Sequence, residues 1–427
     1  MKVSSSHDVV IVGAGPAGSH LAVRVAREGF TVALLDRRSF PRGKPCGEFM
    51  SPECIPLLED VGLGDAVEAH GVRRIGGLRL HGFGRAAEGR FAGFGGIEAP
   101  HDHGWALRRE VLDTLSLEKA RATPGVTVFE GHGVTDVRRD AAGRVTGVDV
   151  LAGGREPMAI DARFTIGADG VRSRVARAFG VQRPVPWLDK FALVARFRGV
   201  PATNAADVAF FEGGYLAGSP VDGGEYTLNL VVDRASLPTG GRCALEDLFW
   251  ERVEAAPAFA ARRSRQQPPA RWGGGGPRGG RTTRQIFDGA ALVGDACGYV
   301  DPVTGEGLYF AMRGAELLAS PLVEALRARR TDRASLAGYA RARRRHLAPR
   351  MAMGKLLQRG MRHPRVVRGF LGLLEARPRL ADLLVATTGD YIGPRDFLRP
   401  AVLADVWAAL CRSTRAPGYP RRGAATP

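Results

Sequence analysis

Asp8-Val9-Val10-Ile11-Val12-Gly13-Ala14-Gly15-Pro16-Ala17-Gly18 is a short β-branched run that breaks into three glycines at G-x-G-x-x-G spacing. After the glycines, Leu21, Ala22, Val25 and Ala26 recur on one helical face until Gly29, a C-cap residue. Thr31 to Leu35 reads as a second strand and ends in Asp36. Strand, tight turn, helix and strand within about thirty residues is the βαβ unit that holds a dinucleotide.

Each glycine has a physical task. Gly13 permits the turn, Gly15 lets the backbone approach a pyrophosphate with no Cβ in the way, and Gly18 lets the helix lie close to the strand. The helix opening at Pro16, Ala17 and Gly18 offers unpaired N–H groups and a partial positive charge to phosphate. Asp36 is placed to accept hydrogen bonds from a ribose diol. Arg37 and Arg38 follow it and suit a 2′-phosphate, whereas Asp36 itself favours a free hydroxyl. The unit leaves FAD and NAD equally open.

The chain has 427 residues, more than one hydrophobic core usually supports, so a second domain is expected beside the dinucleotide domain. Its formal charge is +17, and the part from Asp332 onward holds 19 Lys and Arg against 6 Asp and Glu, a net +13. That region can face an anionic membrane surface or an acidic carrier protein, or can be a solvated helical face. A non-enzymatic nucleic-acid binder is the reading from another class, but no recognised nucleic-acid fold accompanies the charge, and no specific nucleic acid is expected. Cys46, Cys54, Cys243, Cys297 and Cys411 have neither C-x-x-C nor zinc spacing, which suits reduced thiols in a cytoplasmic protein, at most peripheral to a membrane. The first strand begins too close to Met1 for a signal peptide, and no apolar run approaches a membrane span. His101 and His103 lack a third ligand at a recognisable spacing, so no metal is expected.

Two further motifs choose the cofactor. Phe164-Thr165-Ile166-Gly167-Ala168-Asp169-Gly170 is a strand running into a turn and a helix, and Ala290 to Gly294-Asp295 is another strand, followed by Pro302, Gly305, Gly307 and a long helix. Together with the first motif, and in the same order, they resemble the flavoprotein superfamily of class A flavin monooxygenases, geranylgeranyl reductases and flavin-dependent halogenases, over roughly residues 7–330. The resemblance implies an α/β fold: a Rossmann-like FAD-binding domain of the glutathione-reductase-like fold, an inserted antiparallel β-sheet substrate domain, and a helical C-terminal region. It implies that Asp295 binds ribityl or ribose hydroxyls, that Gly294, Gly305, Gly307 and Leu308 lie along the flavin, and that Arg109 sits near the pyrophosphate. Asp169 is expected to cap its helix and order the loop. In Pro41-Arg42-Gly43-Lys44-Pro45-Cys46-Gly47-Glu48, the resemblance places Arg42, Cys46 and Gly47 on the path from ribose to flavin ring. It also makes Cys46 the candidate catalytic residue; a small buried filler is the plain alternative.

The expected boundaries are 1–72, 104–186 and 272–330 for the FAD domain, 73–103 and 187–271 for the substrate domain, 331–415 for helices packed on the FAD domain, and 416–427 for a disordered tail. Phe191, Leu193, Ala195, Phe197 and Tyr226, Leu228, Leu230, Val232 alternate as strands. A sheet made from them would roof the flavin, with Phe210, Phe211, Tyr215 and the Gly218-Ser219-Pro220 turn as pocket walls.

The preferred expectation is a monooxygenase that takes electrons from NAD(P)H and oxygenates an apolar or aromatic small molecule through a C4a-hydroperoxyflavin. The alternative is a geranylgeranyl-reductase-like enzyme acting on an alkene, favoured by Gly305-Glu306-Gly307-Leu308-Tyr309-Phe310-Ala311-Met312 and by the Cys46 loop. Gly214 to Pro220 departs from that branch's substrate signature. A halogenase is disfavoured because its W-x-W-x-I-P stretch is missing.

Overall fold

The structure, a computed structural model, describes residues 4–201, 203–260, 269–275, 278–299 and 302–411. The tail expected over 416–427, and Gly276 of the Gly-rich run, lie outside the described residues.

The first motif builds the centre of a sheet. Val126–Phe129, Val32–Leu35, Ser4–Val12, Glu156–Gly167 and Ala290–Leu292 lie side by side in that order, all parallel. Strand alternation sends Val9 and Ile11 to one face and Val10 and Val12 to the other, and all four are buried. On the first face lie the helices Pro16–Arg27, Arg109–Arg121 and Gly307–Arg327. The antiparallel pair His132–Arg139 and Val145–Ala152 covers the second, with the short helix Arg174–Ala178.

The second sheet has nine strands and is antiparallel except where Ala205–Phe211 runs parallel to Gly77–Gly82. Its centre pairs the two alternating strands: Phe191 opposite Val232, Leu193 opposite Leu230, Ala195 opposite Leu228, Phe197 opposite Tyr226. These side chains pack under the helix Gly241–Glu254 through Phe249, Trp250 and Val253. A single strand, Gln182–Arg198, runs through the expected boundary at residue 187, so the two units are joined by continuous extended chain.

The C-terminal helices divide between the two units. Ala337–His346 packs on the FAD-type domain, where the Tyr339 hydroxyl donates to the Leu292 carbonyl at 2.8 Å. Pro364–Ala376 and Pro378–Thr388 lie on the second sheet instead, with Leu371 against Gly82 and the Ala381 carbonyl against Gly89. The expectation of packing on the first domain therefore fails for these two helices, because their apolar stripe, Val367, Leu371 and Leu374, meets the apolar face of Leu80, Val208 and Tyr215. Among the described residues no helix is long and apolar enough to cross a membrane.

Candidate active site

The three glycines of the first motif serve different masters. Gly13 has φ 104°, and a Cβ there would lie 2.5 Å from the Ala168 carbonyl oxygen. At Gly18 a Cβ would collide with the Gly13 carbonyl. Both positions are therefore required by the protein's own backbone. Gly15 differs, since a Cβ there would meet only the Arg42 guanidinium, at 3.5 Å. It is the N-cap of Pro16–Arg27, no side chain caps that end, and its open front is room for a ligand at free helix N–H groups.

Asp36 and Arg42 close this mouth. The Asp36 carboxylate accepts from the Ala14 N–H at 3.1 Å and the Arg38 N–H at 3.0 Å, which leaves lone pairs for a ribose diol. Arg42 lies 3.4 Å from Asp36 and 3.3 Å from Asp113, with its guanidinium over the Phe40 ring. Arg37 is exposed and makes no ion pair with Asp36. Asp169 lies against Gly13 and accepts the Arg174 N–H at 2.6 Å, holding the start of its helix as expected; Ser173, which the sequence reading passed over, is the formal N-cap. Burial raises the Asp169 pKa.

Arg109 stands behind the mouth. It is buried at the start of Arg109–Arg121 and grips Asp113 with two hydrogen bonds of 2.8 and 2.9 Å, so it reaches the mouth only through Asp113 and Arg42. Burial works to lower its pKa, but Asp113 and the neighbouring Cys46 raise it overall, which holds a permanent cation beside that thiol. Asp113 follows Arg109 by four residues on one helix, a pairing legible in the sequence.

Glu48 is the residue that sequence reasoning missed. It is 1% exposed and takes a left-handed backbone, φ 60°, that persists in a non-glycine residue only where surroundings impose it. Its carboxylate accepts from the Arg109 N–H at 3.1 Å, the Thr227 hydroxyl at 2.5 Å and Arg196 at 2.5 Å. One side chain thus joins the Cys46 loop, the Arg109 helix and two strands of the second sheet. Burial raises its pKa, against the pull of Arg196, Thr227 and Arg109. The Glu48 N–H also points to Cys46 Sγ at 3.4 Å, which fixes the loop's turn at Gly47.

The third motif meets the first. Gly294 brings the Asp295 turn against Ala17, 3.1 Å from a would-be Cβ, and Asp295 faces Lys44 at 3.5 Å. Pro302 opens a short turn to Thr304, and Gly305, φ 75°, lies against Phe49, one residue past Glu48. The helix Gly307–Arg327 then begins with no side-chain cap and nothing within 4 Å of a Cβ on Gly307, while Leu308 is buried beneath. Two open helix N-termini, at Gly15 and Gly307, with Asp36, Arg42 and Asp295 between them, fit an FAD.

Behind Gly307 is a cluster no local motif announces. Glu306 and Asp390 are almost fully buried, with Arg350 donating to the Asp390 carbonyl at 2.5 Å and lying 3.6 Å from its carboxylate. Burial raises both carboxyl pKa values, and Glu306 pushes Asp390 further up while Arg350 opposes. Glu306 and Arg350 border a cavity of about 40 Å³ that also reaches Asp295.

Of the expected pocket walls, Tyr215 and Ser219 stand on the sheet face that carries Thr227 toward Glu48. Phe211 does not: alternation turns it to the other face, under Arg252 of the helix Gly241–Glu254, and leaves Phe210 beside Tyr215. Gly273 to Gly275 end the strand Arg271–Gly275, and a Cβ on Gly275 would lie 3.7 Å from Pro45. The loop before Cys46 is therefore covered by this strand, with the Arg271 guanidinium over Gly43. His101 and His103 touch edge to face, and no cluster able to hold a metal ion exists among the described residues.

Residues 6–353 match the family described as FAD binding domain. The chain is 31% identical to the menaquinone reductase of Mycobacterium tuberculosis, over 75% of this chain and 78% of that protein. It is 30% identical to digeranylgeranylglycerophospholipid reductase 1 of Methanothermobacter thermautotrophicus, over 73% and 75%. Among solved structures it is similar to PqsL of P. aeruginosa in complex with 2-aminobenzoylacetate, with a TM-score of 0.70 and 25% identity over 86% of this chain and 100% of that one.

Proposed function

From the premise that the chain belongs to the FAD-binding-domain family of flavoprotein oxidoreductases, we propose that it reduces a carbon–carbon double bond in a long apolar substrate, with NAD(P)H as electron donor. The observation that carries this reading is the Cys46-Gly47-Glu48 loop. It lies between the cofactor mouth and the second sheet, with its thiol beside the buried Arg109 cation and its turn locked by Glu48. The reading departs from the oxygenation preferred on sequence alone. Its support is the likeness of that loop to the reductase branch, and relatives named as reductases of menaquinone and of a digeranylgeranyl lipid.

Bound FAD would supply hydride transfer, from the nicotinamide to one alkene carbon, with a proton from water or a side chain completing the other. The chain's own residues would hold it. The helix start at Gly15 to Gly18 and Arg42 would face the pyrophosphate, Asp36 the ribose, Asp295 the ribityl hydroxyls, and the Gly305 to Gly307 turn the pyrimidine edge. Cys46 would border the reacting centre, and the strand at Gly273 to Gly275, which carries no side chains, would leave room for a bulky chain.

A monooxygenase is the second reading, favoured by the likeness to PqsL, which is described as a probable FAD-dependent monooxygenase. Turnover of a geranylgeranyl lipid under strict anaerobiosis separates the two. Saturated product formed at full rate without O2 is the expected result. Product that requires O2 and carries its labelled oxygen would replace the proposal with the second reading.

A further inference from the structure

Every large apolar side chain that is exposed among the described residues lies between Leu356 and Leu410. Soluble proteins scatter such residues singly, so their confinement to one stretch of helices marks a surface that meets something.

The pattern within the stretch is regular. On Pro364–Ala376, Val367, Leu371 and Leu374 form the stripe buried on the second sheet. A second apolar stripe, Val366, Phe370 and Leu373, faces outward at the same i, i+4, i+7 spacing. Phe370 is 39% exposed, more than packing on its own domain requires. Gly360, at the end of the preceding helix, faces Val366, which a Cβ there would meet at 3.8 Å, and leads toward Leu356, which is 71% exposed one turn earlier. The helix Pro400–Cys411 repeats the arrangement with Leu403, Trp407 and Leu410, Trp407 being 70% exposed. Arg377 donates to the Leu410 carbonyl at 3.1 Å and so ties the two helix ends together.

Cations border the outward stripe. Arg362, at the end of the preceding helix, and Arg365, beside Val366, are exposed, and neither has a carboxylate partner among the described residues. Arg368, also exposed, lies on the far side of the helix. Elsewhere on the chain exposed arginines are commonly paired, as Arg85 is with Glu375 and Arg327 with Glu28. A helix that presents Phe, Leu and Val beside unpaired Arg, with an exposed Trp on its neighbour, has the composition of a helix lying in a lipid headgroup boundary.

We propose that the outer face of the helices Ala348–Met361, Pro364–Ala376 and Pro400–Cys411 docks on an anionic phospholipid bilayer, the apolar stripes entering the headgroup boundary and Arg362 and Arg365 meeting lipid phosphates. The surface is independent of the reaction at the flavin site, so either the reductase or the monooxygenase reading can stand with it or without it.

The test is cosedimentation of the full-length, FAD-loaded protein with vesicles of phosphatidylglycerol mixed into phosphatidylcholine, against vesicles of phosphatidylcholine alone. Binding to the first, weakened by salt, is expected. Replacing Arg362 and Arg365 together by Gln should lower the partition coefficient roughly twenty-five-fold, at about fivefold per charge. Phe370→Ser with Trp407→Ser should lower it further, and flavin absorbance and melting temperature of each variant report whether it is folded. The salt dependence of the unaltered protein is decisive even where a variant misfolds. No binding to the anionic vesicles, equal binding to both kinds, or a double-Arg variant that binds like its parent overturns the proposal. A self-association that Phe370→Ser abolishes, without vesicle binding, assigns the face to a second copy of the chain and likewise overturns it.

Discussion

The cofactor mouth and the junction above it are assembled from opposite kinds of sequence. At the mouth, Gly13, Gly15 and Gly18 act through what they lack: Gly13 and Gly18 are decided by neighbours within a few residues or by one crossing strand, and Gly15 by its open front. At the junction, Glu48 acts through what it carries, and its partners Arg109, Arg196 and Thr227 come from three distant segments. The difference teaches where tolerance lies: the mouth fails by steric collision, the junction by loss of compensation for a buried charge.

The largest effect should fall at Gly18. Valine there must displace the Gly13 carbonyl, the pivot of the whole turn, so Gly18→Val should yield no folded protein, judged by soluble expression and circular dichroism. A soluble, folded Gly18→Val protein would mean that the helix does not lie as close to the strand as described.

Next in size is Glu48→Ala, which strands a mostly buried Arg196 and leaves the Arg109 N–H without its acceptor. Breaking such a pair costs about 3 kcal/mol, at the lower end of the usual range because Arg196 keeps Glu110 at 3.0 Å. Denaturant midpoints measure it. An unchanged midpoint would demote the junction to a surface contact.

Asp295→Ala sharpens the comparison from the mouth's side. It removes a charge-assisted hydrogen bond to cofactor hydroxyls, worth about 1.5 to 3 kcal/mol, or roughly ten- to a hundredfold in FAD affinity with the fold intact. Fluorescence titration with FAD gives the number; full affinity in a folded variant would place Asp295 away from the flavin.

The smallest effect concerns the Glu306 and Asp390 pair. Their raised pKa values mean that the folded state holds protons the unfolded chain has released, so this contribution to stability is present below the ordinary carboxyl range and is lost as pH rises through the folded values. Asp390→Asn should therefore gain on the parent in melting temperature as pH is raised above about 4, the two converging in acid. A gap of constant size across that range would show that Asp390 does not titrate with folding.

These contrasts also explain what could be read in advance. The βαβ unit was legible because glycine spacing, apolar period and Asp36 are local signals, and the alternation from Phe191 and from Tyr226 marked two strands, though not their register. Arg109 was singled out from its motif, and its hold on Asp113, an i, i+4 pair on one helix, could have been read there too. Glu48 stood inside a quoted motif without a role, because its three partners are unrelated in sequence. Phe210 and Phe211 were both taken as walls, although neighbours in a strand of period two face opposite ways and only Phe210 stands beside Tyr215. Asp390 had no local signal at all: a lone acid before an apolar pair is ordinary until Arg350 and Glu306 close around it.

Gly15 is where the account is most exposed, because there alone the glycine is explained by the ligand and not by the protein. Gly15→Val should fold with the parent's circular dichroism and melting behaviour, and purify without the flavin absorbance near the visible blue. A folded Gly15→Val protein that keeps a full complement of FAD would contradict the assignment of this mouth to the cofactor pyrophosphate.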